Sequence, residues 1–369
     1  ENFPQEEILK TNEYAINLPT RYIQKGKEHQ GWINLVNPFR GTMVIGTPGS
    51  GKSYSVVLPF IKQHLGKGFS LCVYDFKYPD LSLVAYNHFL MAKKKGSLRE
   101  NTRFYVINFD DIRKSFRCNP LAPELMESPI DAFESSRTVL YNLNREWIKK
   151  QGEFFSESAV SFFAAVIWFL KRYKNGIFCT LPHAIELLQL DYDDLFEVLS
   201  QEKDVVGIIN PFVSAYQRKA NEQLEGQLGS LKIAISKIIS REIYWICSGD
   251  DFSLDINSPK APKVVCLANN PLRIEMYGAV LSLFITRMLK IINRKGQHPA
   301  SLIFDELPTI YFRGLDTLIA TARANRISTL LGMQTIDQLI RDYGKEQANA
   351  ILTNIGNVFS GQAAGETAK

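Results

Sequence analysis

Apolar positions follow two rhythms in the first third of the chain. Three short runs, TMVIG (42–46), FSLCVYD (69–75) and RFYVINF (103–109), are nearly continuous. Runs of that length predict strands covered on both faces. Between them, residues 52–65 and 79–93 place apolar side chains at helical spacing. Pro59 is expected to kink the first helix, and Pro79 falls in the first turn of the second. Strand and helix in alternation predict an α/β fold with a mostly parallel central sheet under helices.

The rhythm changes after the third run. From 121 to 256 almost only helical periodicity remains, in 131–149, 157–173, 181–188, 193–199 and 210–240. Pro120, Pro123 and Pro129 mark the entry, and the Asp-, Ser- and Pro-rich stretch 250–262 marks the exit. An insertion of about 130 residues is the size of a domain. Strand-like runs then resume in KVVCLAN (263–269), SLIFD (301–305), STLLGM (328–333) and NVFSG (357–361). The expected organisation is one α/β domain, residues 1–120 and 257–369, split by an all-α domain, residues 121–256. No internal repeat or low-complexity segment interrupts it.

Composition narrows this picture without changing it. Hydrophobic residues are 45% and charged residues 22% of 369, as in a globular protein. The net charge of +5 permits contact with nucleic acid without requiring it. The densest basic run, Lys93-Lys94-Lys95, reads as a solvated helix end. Five scattered cysteines form no C-x-x-C pair, and the five histidines show no H-E-x-x-H spacing. These features argue against zinc and for a reducing compartment. The most apolar stretch, 154–170, carries Glu157 and three serines, and reads as a buried helix. The chain opens on Glu1 without a signal-peptide pattern, so a soluble piece of a longer protein is expected.

Chemistry is concentrated in two places. Gly46-Thr47-Pro48-Gly49-Ser50-Gly51-Lys52-Ser53 fits G-x-x-x-x-G-K-[ST] at every fixed position. Glycines let backbone N–H groups wrap closely around phosphates, and the helix that follows aims its positive end at the anion. Lys52 would reach the β- and γ-phosphates of ATP, and Ser53 would offer a hydroxyl to Mg²⁺. The second place is SLIFDELPTI, where Asp305 and Glu306 end a strand. Asp305 would hold Mg²⁺ and Glu306 would orient the attacking water. Asp75, which ends FSLCVYD, is the rival metal carboxylate. Only a shared sheet could bring these segments together.

The residues resemble those of the VirD4/TraG/TraD type IV coupling proteins, ATPases of conjugation and type IV secretion. The resemblance rests on NPFRGTMVIGTPGSGKS, VYDFKYPDL, FRCNPL, SLIFDELPTI and ATARANRISTLLGMQTIDQLIRDYG, in that order along the chain. It implies a RecA-like P-loop domain with an inserted all-α domain. It also implies a homo-hexameric ring when full length, a monomer being the alternative for this segment. By the same resemblance Arg323 is the arginine finger acting on a neighbouring subunit's ATP, with Arg313 and Arg326 as competitors. Gln334 senses the γ-phosphate, and Glu306 is the catalytic glutamate. The implied function is to recruit relaxase-bound single-stranded DNA, protein effectors, or both, and to deliver them to a type IV secretion channel; the implied partners are single-stranded DNA with its relaxase, and the proteins of that channel. The implied location is the cytoplasmic face of the bacterial inner membrane. An FtsK/HerA-type DNA translocase and a weakly hydrolysing P-loop adaptor are the alternatives.

Overall fold

The computed structural model describes residues 5–149 and 151–361. The outer ends of the expected α/β domain, 1–4 and 362–369, lie outside the described residues. Among the described residues there are nine strands. β1 (Ile16–Gln24) and β2 (Lys27–Leu35) form an antiparallel hairpin. Its two-residue turn has Lys25 at φ 50° and Gly26 at φ 72°, the primed-turn geometry that matches strand twist.

The other seven make one sheet: β3 (Thr42–Ile45), β4 (Ser70–Asp75), β5 (Arg103–Ile107), β6 (Lys263–Ala268), β7 (Ala300–Phe304), β8 (Ile327–Met333) and β9 (Asn357–Ser360). Their spatial order is β5-β6-β4-β7-β8-β3-β9, with every pairing parallel. All seven strands coincide with the runs read from sequence. The pleat explains their continuous apolar character. Met43, Ile45, Cys72, Tyr74, Leu302 and Phe304 enter a core on one face, while Val44, Leu71, Val73 and Ile303 enter a second core on the other. The second core is closed by the helices Leu58–Gly66 and Asp80–Lys94 and by the hairpin.

The first core is much larger. It joins the sheet to the helices Ile274–Ile292 and Leu315–Ala322 and to the helical segment between β5 and β6. At the centre of that segment runs Phe154–Arg172. By length and composition the stretch 154–176 could cross a bilayer, a longer stretch than its first apolar run suggests, but 67% of its most apolar window is buried in the fold.

Three helices differ from expectation. The P-loop helix begins as a π-turn, Ser53–Val57, so Pro59 lies in the first turn of the α-helical part and kinks nothing. The stretch 131–149 divides into Pro129–Leu143 and Glu146–Lys149, with Asn144 leaving helical geometry at φ −141°. The stretch 210–240 is two helices, Lys203–Gln217 and Asn221–Ser236, parted where Lys219 turns left-handed at φ 57°.

Candidate nucleotide site

Parallel strands leave the sheet along one edge, and loops that follow different strands meet there. β3 exits into the glycine-rich loop, and Gly46 N still donates to Met333 O at the end of β8, at 3.2 Å. Gly49 (φ 82°) and Gly51 (φ 83°) occupy the left-handed region, where a side chain would strain the turn. Gly46 is needed for space, because a Cβ there would sit 2.5 Å from Ser50 Oγ. Lys52 curls back so that Nζ donates to Gly46 O. The helix opening at Ser53 has no side-chain cap, and its first turn of N–H groups points back toward the loop, Ser55 N donating to Gly51 O at 2.8 Å. Ser50 Oγ is buried without a partner among the described residues. A concave ring of donors at a helix start is an anion cradle.

β7 exits beside it. Asp305 N donates to Tyr74 O at 3.2 Å, and Glu306 then turns left-handed at φ 55°, which few non-glycine residues do. This turn aims the Glu306 carboxylate back over the sheet edge. Glu306 Oε1 lies 3.4 Å from Lys52 Nζ, and Glu306 Oε2 accepts from Gln334 Nε2 at 3.3 Å. The order β7-β8-β3 therefore joins three strand ends through Glu306, although Lys52 is 254 residues away in sequence.

Asp305 is the perturbed group of the site. Burial, then the charges of Glu306 and Asp75, push its carboxyl up to about 7, against the opposing pull of Lys52 and Lys77. A cation placed at this carboxylate would relieve that cost. Asp75 is fully buried, and Asp75 Oδ2 accepts from Ser82 N at 2.8 Å, tying down the start of Asp80–Lys94. One of its oxygens is thus committed to structure, and burial raises its pKa as well. No group of three or more His, Cys, Asp or Glu able to hold a metal occurs among the described residues.

The arginines are not brought to this edge. Arg323 is exposed at the end of Leu315–Ala322, and Arg326 O accepts from Ala300 N at the start of β7. Both sit at the far end of a five-residue strand, roughly 20 Å along it from Glu306. Arg313 is exposed and donates to Gln151 Oε1.

Two residues of the helical segment, unmarked by any motif, also reach the site. Arg145 Nη2 donates to Thr309 O at 2.8 Å, and Arg145 shares with Glu306 and Gln334 a cavity of about 260 Å³. Asn142 holds Tyr311 by two hydrogen bonds. Asn142 at the end of its helix and Arg145 just past it carry no local sequence signal of this task.

Among solved structures, the bacterial conjugative coupling protein TrwBdeltaN70 in complex with sulphate superposes with TM-score 0.64 at 14% identity, over 88% of this chain and 70% of that one. The plasmid coupling protein TrwB in complex with ADP and Mg²⁺ gives TM-score 0.64 at 15% identity, over 87% and 70%. VirB4 of Thermoanaerobacter pseudethanolicus gives 0.53 at 17%, over 91% and 82%. These likenesses bear out the expected RecA-like α/β fold. Comparison with curated proteins finds no match. The family profile described as type IV secretory system conjugative DNA transfer matches residues 4–369. Since that match runs through the loop, the helical segment and the Asp305-Glu306 strand alike, the chain belongs to the conjugative DNA transfer family of type IV secretion systems.

Proposed function

We propose that the chain is an ATP-hydrolysing coupling protein that delivers single-stranded DNA, with its bound relaxase, to a type IV secretion channel. The observation that carries the enzymatic part is the contact of Glu306 with both Lys52 and Gln334. In this reading the loop 46–53 wraps the phosphates, and Lys52 exchanges Glu306 for the β- and γ-phosphate oxygens. Glu306, once released, orients and polarises a water for attack. Gln334 keeps hold of the glutamate and reports whether a γ-phosphate is present. Ser53 and Asp305 would hold Mg²⁺, which neutralises charge on the phosphates when bound. The solved complex of TrwB with ADP and Mg²⁺ supports this cofactor choice.

Arg323, exposed and remote from its own loop, would act on a neighbour's nucleotide in a homo-hexamer at the cytoplasmic face of the inner membrane. The helical segment 121–256 would be a separate domain of each subunit. Sixfold repetition of a +5 chain gives a basic ring suited to a polyanion.

The test is ATP hydrolysis against protein concentration, with and without single-stranded DNA. The rate per subunit should climb with concentration and again with DNA, and Lys52→Ala should abolish it. A flat rate near zero despite tight ATP binding would favour a recruiting adaptor. Near-normal turnover in Lys52→Ala would remove this loop from the reaction.

A further inference from the structure

Glu306 occupies a backbone conformation that an L-residue adopts only when its surroundings impose it. The turn that follows, residues 306–311, is held from two sides. The sheet side holds its first half. Glu306 O accepts from Thr309 N at 3.0 Å and from Thr309 Oγ1 at 2.6 Å. Thr309 Oγ1 meets Tyr74 OH at 2.7 Å, and Asn269 Nδ2 donates to that hydroxyl at 2.6 Å.

The helical segment holds the second half. Asn142 Nδ2 donates to Tyr311 O at 2.7 Å, and Tyr311 N donates to Asn142 Oδ1 at 2.9 Å. Arg145 Nη2 takes Thr309 O. The helix ends at Leu143, and the extended Asn144 swings Arg145 out of helical register. Two residues three apart can thus address the same turn from either side of a helix end. Both are costly placements for mere packing. The Asn142 side chain is buried, and its amide also reaches Thr138 O and Ser282 Oγ. Arg145 Nη1 is buried without a partner among the described residues. The clamp helix in turn rides on the central helix of the segment, through Ser136 Oγ to Val160 O at 2.8 Å and Arg137 to Glu157 at 2.9 Å.

We propose that Asn142 and Arg145 are positioning residues for hydrolysis: they hold the turn that presents Glu306 to Lys52 and Gln334. The inference rests on the ATPase reading above and adds two residues that position its glutamate. A displacement of about 1 Å at a reacting group can cost about 100-fold in rate, so loss of either contact on this turn is enough to slow hydrolysis.

The test compares wild type, Asn142→Leu, Arg145→Ala and Arg145→Lys in the full chain. Three quantities are read: ATP turnover, affinity for a fluorescent ADP analogue, and hydrogen exchange at the amides of 309–311. Asn142→Leu and Arg145→Ala should lower kcat about 10- to 100-fold, with ADP affinity within about twofold. Exchange should quicken at Tyr311 in Asn142→Leu, and Arg145→Lys should recover part of the rate. Unchanged kcat in both variants of an active wild type overturns the clamp alone. Equal loss of kcat and ADP affinity also overturns it, since that is general misfolding of the site. A wild type that binds ATP without turnover overturns the enzymatic reading, and this positioning role with it.

Discussion

Asp305→Asn should change the slope of stability against pH. In the folded chain this carboxyl titrates near 7, because burial and the neighbouring Glu306 and Asp75 disfavour its charge. Unfolded, it titrates near its ordinary value of 3.8. Between those values the folded chain keeps a proton that the unfolded chain has lost. The associated stability is therefore full below about pH 4 and is lost as pH rises to about 7. The slope is about 1.4 kcal/mol per pH unit, or on the order of 4 kcal/mol across the window at most. His64 works in the opposite sense. Its ring is fully buried, with Nδ1 2.9 Å from Ser301 Oγ, and burial pushes its pKa down to about 3. The unfolded chain takes up that proton below about 6.5, so the His64 contribution is lost as pH falls. From about pH 4 to 6.5 the two slopes oppose one another in wild type. Asp305→Asn leaves the His64 slope uncovered, so the variant should gain stability with rising pH where wild type is flatter. Urea unfolding of nucleotide-free, Mg²⁺-free protein from pH 4.5 to 8 measures the difference. It should widen up to about pH 7 and then level. Curves that stay parallel within about 0.5 kcal/mol would refute the reasoning that burial at the sheet edge holds a proton on Asp305.

Arg287 is fully buried between Leu125 O and the carboxylate of Asp131, so Arg287→Ala should cost about 3–5 kcal/mol in urea unfolding, and Arg287→Met clearly less. Gly46→Ala should weaken ADP binding by about 1–3 kcal/mol, measured by titration, with the thermal midpoint little changed, because its Cβ displaces Ser50 within the loop. Mixing Arg323→Ala with Glu306→Gln subunits should restore a fraction of the turnover that each lacks; no rescue at any ratio, in rings shown to be mixed, would count against a finger acting across subunits.

Much of the sheet was legible because strands buried on both faces must be continuously apolar, and seven such runs stand out. The hairpin Ile16–Leu35 was not read. It lies against the domain on one side only, and its charged outer positions, among them Arg21, Lys27 and Glu28, dilute the pattern. Helix existence was legible, but helix breaks were not. Lys219 takes the left-handed place of a local capping turn, with Ala220 N donating to Ala215 O at 3.0 Å, and Asn144 also leaves helical geometry, yet neither is the glycine or proline that would mark a break.

For the site, sequence alone determined the chemistry of each separate piece. A G-x-x-x-x-G-K-[ST] loop between a strand and a helix has few uses other than holding phosphate, and adjacent carboxylates at a strand end suit a metal and a water. Which pieces meet was decided by strand order. Lys52, Glu306 and Gln334 touch only because β8 is threaded between β7 and β3, and that permutation is a property of the packed sheet. The same holds for Asn142 and Arg145. A helix end gives no local sign of what its side chains grip, since that depends on which turn the folded core brings within hydrogen-bonding reach.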